Sequence, residues 1–169
     1  MISKPSAASV MQGYIDLVSA DDALIALEAN TAAMENVLST LTEDQWMMRY
    51  EPSKWSIKEL VVHISDAERI FGYRILRLLR QDATPLPGYE ENWYASHSRA
   101  DERTPSDILS EWKHVRALTQ LTLSQAHPAD LDFVGHANGK NVTAREIAFA
   151  IVGHAQHHIN ILTERYLHP

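Results

Sequence analysis

The stretch "VGHAQHHINI", residues 152–161, places three histidines within five positions. Imidazole is both the commonest metal ligand and the side chain best poised for proton transfer near neutral pH. Successive residues of a helix turn by about 100°. With Ile147 set at zero, Ile151, His154, Ala155, His158, Ile161 and Leu162 gather within about 80° of it, so His154 and His158 share the apolar arc one turn apart. His157 falls at about 280°, on the shoulder beside Gly153 and Glu146. A single imidazole on an apolar face is usually a satisfied core histidine. Two at i and i+4 must find partners for four ring nitrogens, and a shared metal ion would satisfy one on each.

A candidate third ligand lies on a distant helix. With Leu60 at zero, His63 stands at about 300°, between Ala67 and Ile70 and inside the apolar arc. Asp66 and Glu59 flank it at the polar shoulder, where either could orient His63 or serve as a ligand. Three inward histidines on two helices fit one divalent ion with open coordination positions. Zn²⁺ or Ni²⁺ suits three imidazoles, and Asp66 keeps Fe²⁺ or Mn²⁺ open. His157 and Asn160 are candidate pocket or second-layer groups. Purely metal-free core histidines are the competing reading.

Other constellations carry less. Glu111-x-x-His114 matches half of a di-iron ligand set, but that chemistry needs the motif twice plus two further glutamates. The His-Glu-x-x-His metalloprotease motif has Ala155 where its general base would stand, which argues against a peptidase. His97, His127, His136 and His168 fall in loops or at the terminus, with His97 and His136 candidates for a pocket mouth.

Four amphipathic segments must position these groups. The first runs from about Asp21 to Leu38, with Leu24, Leu27, Thr31, Met34 and Leu38 on one stripe. The second opens on a capping box, Ser56-Ile57-Lys58-Glu59, and runs to about Arg80. The third starts at Thr104-Pro105 and ends near Ala126. The fourth opens on another capping box, Thr143 to Glu146, and reaches about Tyr166. Pro52, Pro85 to Gly88 and Gly135 to Asn141 supply turn or loop chemistry, and Leu131–Val134 is the sole strand candidate. The pattern predicts an all-α four-helix bundle formed by residues 19–169 as one domain. Residues 1–18 read as an arm or short helix with Val10, Tyr14, Leu17 and Val18 on its apolar side. The long connection between the second and third helices, Asp82 to Arg103, is a candidate functional loop whose Tyr89, Trp93 and Tyr94 could cover a pocket or pack on the bundle end.

Composition narrows the function. A net charge of −7 argues against nucleic acid, which is bound by concentrated Lys and Arg. The tract Arg69, Arg74, Arg77 and Arg80 reads as a solvated helix face, with Glu68 and Asp82 beside it. No apolar run is long enough to span a membrane and no secretory signal is legible, so a cytoplasmic protein is expected. With no cysteine in the chain, any thiol chemistry must use a soluble thiol.

The segments "WSIKELVVHISDAERIFGYRILRLLR" (55–80), "PLPGYEENWY" (85–94) and "GHAQHHINIL" (153–162) together resemble the DinB/YfiT-like superfamily of metal-binding four-helix bundles. The likeness spans roughly residues 21–166 and rests on Trp55, Glu59 and His63 followed by the paired histidines. It implies one divalent metal ion, usually nickel or zinc, held by His63, His154 and His158. It also implies a homodimer and, in some relatives, transferase or isomerase chemistry with bacillithiol, mycothiol or glutathione; others are described as metal-dependent hydrolases. The expectation is a metal-dependent enzyme that activates a thiol or water toward a small molecule. The alternative is a non-enzymatic dimer in which the metal only fastens two helices.

Overall fold

The computed structural model describes residues 1–167; His168 lies outside the described residues. Four long helices form the bundle: α2 (Ala23–Ser39), α4 (Ile57–Leu79), α6 (Pro105–Ser124) and α7 (Ala144–Ile161). Short helices α1 (Gln12–Ile15), α3 (Glu43–Trp46) and α5 (Glu91–His97) lie between and ahead of them. A wider π-helical turn, Leu162–Leu167, continues α7. None of these helices is long and apolar enough to cross a membrane.

Local chemistry sets the boundaries. Ser56 accepts from the Glu59 amide while Glu59 reaches back to the Ser56 amide, and Thr143 and Glu146 repeat the arrangement on α7. Thr104 caps α6 with Pro105 at its first turn. Around the bundle, α4 packs on α6 and α7, and α2 packs on the same two, so α2 and α4 sit diagonally.

The apolar interior comes in two clusters. One holds Leu27, Ile75, Leu78, Leu123, Ile147 and Phe149; the other holds Met34, Leu60, Ile64, Ile108, Trp112 and Leu162. Along the four helices, Asn30, Glu68, Arg116 and His154 fall between these clusters. Arg116 donates from Nε and Nη2 to the Glu68 carboxylate, at 2.9 Å in each of its two best bonds. Its Nη1 donates to Asn30 Oδ1 at 3.1 Å and to Thr31 Oγ1 at 3.3 Å on α2. Asn30 in turn donates to Gln156 of α7 at 3.4 Å, so one polar layer touches all four helices.

Three sequence expectations need correction. Gly135 to Asn141 is not merely loop: β1 (Gly135–Ala137) and β2 (Lys140–Val142) form an antiparallel hairpin. Its turn is Asn138-Gly139, with both residues at positive φ (51° and 72°), which suits the right-handed twist of the strands. Leu131–Val134 forms no strand. The segment 1–18 is packed down, with Ile2, Ile15 and Val18 in the core, whereas Val10 and Leu17 are exposed.

That segment depends on a glycine. A Cβ at Gly153 would stand 1.9 Å from the Tyr14 carbonyl oxygen, so only glycine lets α1 lie directly on α7. Gly153→Ala is expected to lower stability by about 1–3 kcal/mol and to make residues 1–18 sensitive to limited proteolysis. Glu68→Ala should cost about 3–5 kcal/mol in urea unfolding by stranding the Arg116 charge, while the Glu68→Leu/Arg116→Met pair should recover most of the loss.

Candidate metal centre

His63 projects from α4, and His154 and His158 from α7, as the helical phases predict. The His154 Nε2 lies 3.1 Å from the Nε2 of His63 and 3.1 Å from the Nε2 of His158. All three side chains are buried. Burial pushes His63 down from its usual 6.5 to about 4. His154 falls to about 3, first through burial and then through the neighbouring His63 and His157. His158 is lowered still further by burial and by the other imidazoles. The rings are therefore neutral at pH 7, and three nitrogens meet that cannot all donate to one another.

This donor set fits a metal ion. Imidazole nitrogens each about 2.1 Å from one ion stand about 3–3.4 Å apart, the spacing found here from His154 to each of the other two, and all three ligand atoms lie within 4.8 Å of one another. His63, His154 and His158 are also the one group among the described residues whose ligand atoms gather in this way.

The surroundings differ from the expected second layer. Glu59 accepts from the Ser56 amide and from Arg49 at 2.6 Å, so it serves the helix cap rather than His63. Asp66 pairs with Arg69 at 3.2 Å, and its carboxyl is pushed up mainly by burial. Asn160 accepts from Gln156 at 2.9 Å, at the end of the polar layer. His157 is exposed, at the cavity rim beside the Tyr14 ring. Aromatic rings, not carboxylates, hold the imidazoles. Trp55 packs on His63 with ring centroids 4.6 Å apart, and Tyr14 meets His154 edge-on at 5.4 Å. Tyr166 of the π-helical turn fixes Trp55 by donating to its carbonyl at 2.7 Å. The Nδ1 of His158 is buried with no partner among the described residues.

A cavity of about 410 Å³ opens onto the three histidines. Phe71 lines it from α4, Trp55 from just ahead of that helix, Tyr14 from α1, and Ala137 and Val142 from the hairpin. The connection between α4 and α6 contributes Tyr89, whose hydroxyl burial pushes up to about 12, and Glu91 at the rim. Trp93 and Tyr94 of that connection stay outside, largely exposed. His97, His114 and His136 are exposed and do not line the cavity. His97 stacks on Trp93, and His114 bonds the Ser110 carbonyl.

Tyr14 and the hairpin residues are the parts that sequence reasoning missed. Asn138-Gly139 was a legible hairpin signal. Tyr14 carried only the weak signal of a short apolar side, and nothing local shows which helix it meets. Arg74 is also misplaced by the sequence reading: it is 5% exposed and lines the cavity instead of facing solvent.

Comparison with known proteins finds the same fold. The structure superposes on YfiT from Bacillus subtilis with a TM-score of 0.74 at 18% identity, covering 96% of this chain and 90% of that one. YfiT is described as a probable metal-dependent hydrolase with an unusual four-helix bundle topology. A mycothiol-dependent maleylpyruvate isomerase superposes with a TM-score of 0.67 at 13% identity, over 85% of this chain and 59% of that one. A protein of Oceanobacillus iheyensis that carries the provisional name of a metal-dependent hydrolase is 21% identical over 138 residues, 79% of this chain and 77% of its own length. The family model of the DinB superfamily matches residues 26–162, and the chain belongs to that superfamily.

Proposed function

We propose that the protein is a metal-dependent enzyme acting on a small molecule, with one divalent ion held by His63, His154 and His158. The observation that carries this reading is the meeting of three neutral Nε2 atoms at the floor of an open cavity. Nickel or zinc suits an all-imidazole set best, since Asp66, the one nearby carboxylate that favoured iron or manganese, is paired with Arg69. When bound, such an ion lowers the pKa of a water or a soluble thiol so that it is a nucleophile at neutral pH.

The chain's own residues supply the rest. The three imidazoles stay unprotonated through the whole physiological range, so protons compete little for their lone pairs. Trp55, Phe71 and Tyr14 keep those rings in place and exclude water from their faces. No cysteine is present to act as nucleophile, so either water or an external thiol attacks. The names of the relatives support both hydrolysis and thiol-dependent isomerisation.

Protein reloaded with nickel or zinc should hold one ion per chain by elemental analysis, and His63→Ala or His154→Ala should reduce this at least tenfold. Turnover, screened with water or with glutathione, mycothiol or bacillithiol against small electrophiles, should vanish on chelation and return with the metal. Metal-dependent stability with no turnover in such a screen would favour an ion that merely fastens α4 to α7. Substoichiometric metal after reloading would overturn the reading.

The histidines also set an acid limit on the metal-free protein. Their folded pKa values lie below the ordinary 6.5, so the unfolded chain binds more protons as the pH falls. The melting temperature should therefore drop between pH 7 and pH 5, and His63→Leu should show a shallower drop.

A further inference from the structure

Arg74 is a buried cation that the fold does not neutralise. Elsewhere the chain pairs its buried or half-buried arginines. Arg116 is sealed between Glu68, Asn30 and Thr31, and the half-buried Arg77, Arg103 and Arg145 each reach a carboxylate. Arg74 is buried to the same degree as these or more, yet among the described residues it has no carboxylate partner. Its one hydrogen bond runs from Nη2 to the Pro87 carbonyl oxygen at 2.9 Å. A guanidinium has five N–H donors, and those of Arg74 that the Pro87 carbonyl does not take open onto the adjoining cavity, where an acceptor group of a ligand can receive them.

Those donors border the same cavity as the three histidines. The guanidinium carbon lies 5.6 Å from the Phe71 ring centroid, and the same ring lies 6.2 Å from the His154 imidazole. Arg74 is held there from two sides. The Pro87 carbonyl comes from a strap that is tied to the hairpin by Leu86, whose amide donates to His136 O at 2.9 Å and whose carbonyl accepts from Asn138 at 3.0 Å. The remaining charged side chains on the cavity are Lys140 and Glu91, which with His157 stand exposed at its rim. A positioned, unpaired guanidinium at the far wall of a cavity with neutral imidazoles at its floor suits an anion that lies between them.

We infer that the substrate of this cavity carries a carboxylate, which Arg74 receives as a planar two-point hydrogen-bonded pair while the rest of the molecule extends toward His63, His154 and His158. The inference rests on the proposed small-molecule chemistry and adds its substrate class. Arg74 is a binding and positioning residue in this account.

The test measures binding of acetate, succinate and benzoate, each beside its neutral amide, by calorimetry on zinc-loaded protein at low ionic strength. At least one carboxylate should bind about tenfold or more tightly than its amide. Arg74→Gln should abolish that preference, and Arg74→Lys, which keeps the charge without the fork, should retain only part of it. Arg80→Gln, an exposed arginine one and a half turns on, should leave it unchanged. Circular dichroism and metal content establish that the Arg74 variants are folded and loaded; if Arg74→Gln fails to fold, Arg74→Lys decides. His154→Ala, which removes the metal, should keep the carboxylate preference. A protein that binds no metal can thus still pass, and a fully loaded protein can fail. No preference for any carboxylate, or a preference that survives Arg74→Gln, overturns the inference.

Discussion

Three imidazole nitrogens meet within a few ångströms in a place where burial keeps the rings neutral. This is a repulsive and poorly hydrogen-bonded arrangement, and the remainder of the bundle can be understood as what keeps it closed. The capping boxes at Ser56 and Thr143 fix where α4 and α7 begin and thereby the phase at which His63, His154 and His158 point inward. The apolar clusters on either side press the two helices together. Trp55, Tyr14 and Phe71 close the lateral escape of the rings, and Tyr166 holds Trp55 in turn.

Two buried arginines show how the same chemical group divides between architecture and function. Arg116 has its hydrogen bonds met by Glu68 and α2, so it closes a polar layer that spans the helices and fixes their mutual depth. Its net contribution to stability is small, because desolvation offsets the attraction, but a mispacked bundle would leave both charges stranded. Arg74 has the same burial and little of the compensation. Its remaining donors open onto the cavity, the side from which a ligand would arrive.

Much of this was legible in the sequence because it rests on local periodicity. Ser56, Glu59, Thr104, Pro105, Thr143 and Glu146 announce helix starts through interactions spanning three residues. The 100° turn alone separates His154 and His158 from His157. What failed was non-local. Arg74 shares a sequence neighbourhood with Arg77 and Arg80, and only the strap and hairpin arriving from elsewhere make it buried. Glu59 and Asp66 flank His63 in phase, but Arg49 and Arg69 claim their carboxylates. Tyr14 reaches His154 because Gly153 admits a backbone, and helical phase carries no record of which backbone that is.

The wall contributed by the leading segment is held in place by different contacts from those that hold the floor. The family match begins at residue 26, whereas Tyr14, Met11 and Val10 lie ahead of it and line the cavity. The leading segment is moored by Ile2, whose amide donates to Asp22 at 2.7 Å, and its chain start sits beside the same carboxylate. A floor of three imidazoles is carried by the bundle helices, and the wall beside it is carried by a separately anchored strip of chain. An affinity tag fused ahead of Met1 is, for the same reason, attached to the mooring of the cavity wall.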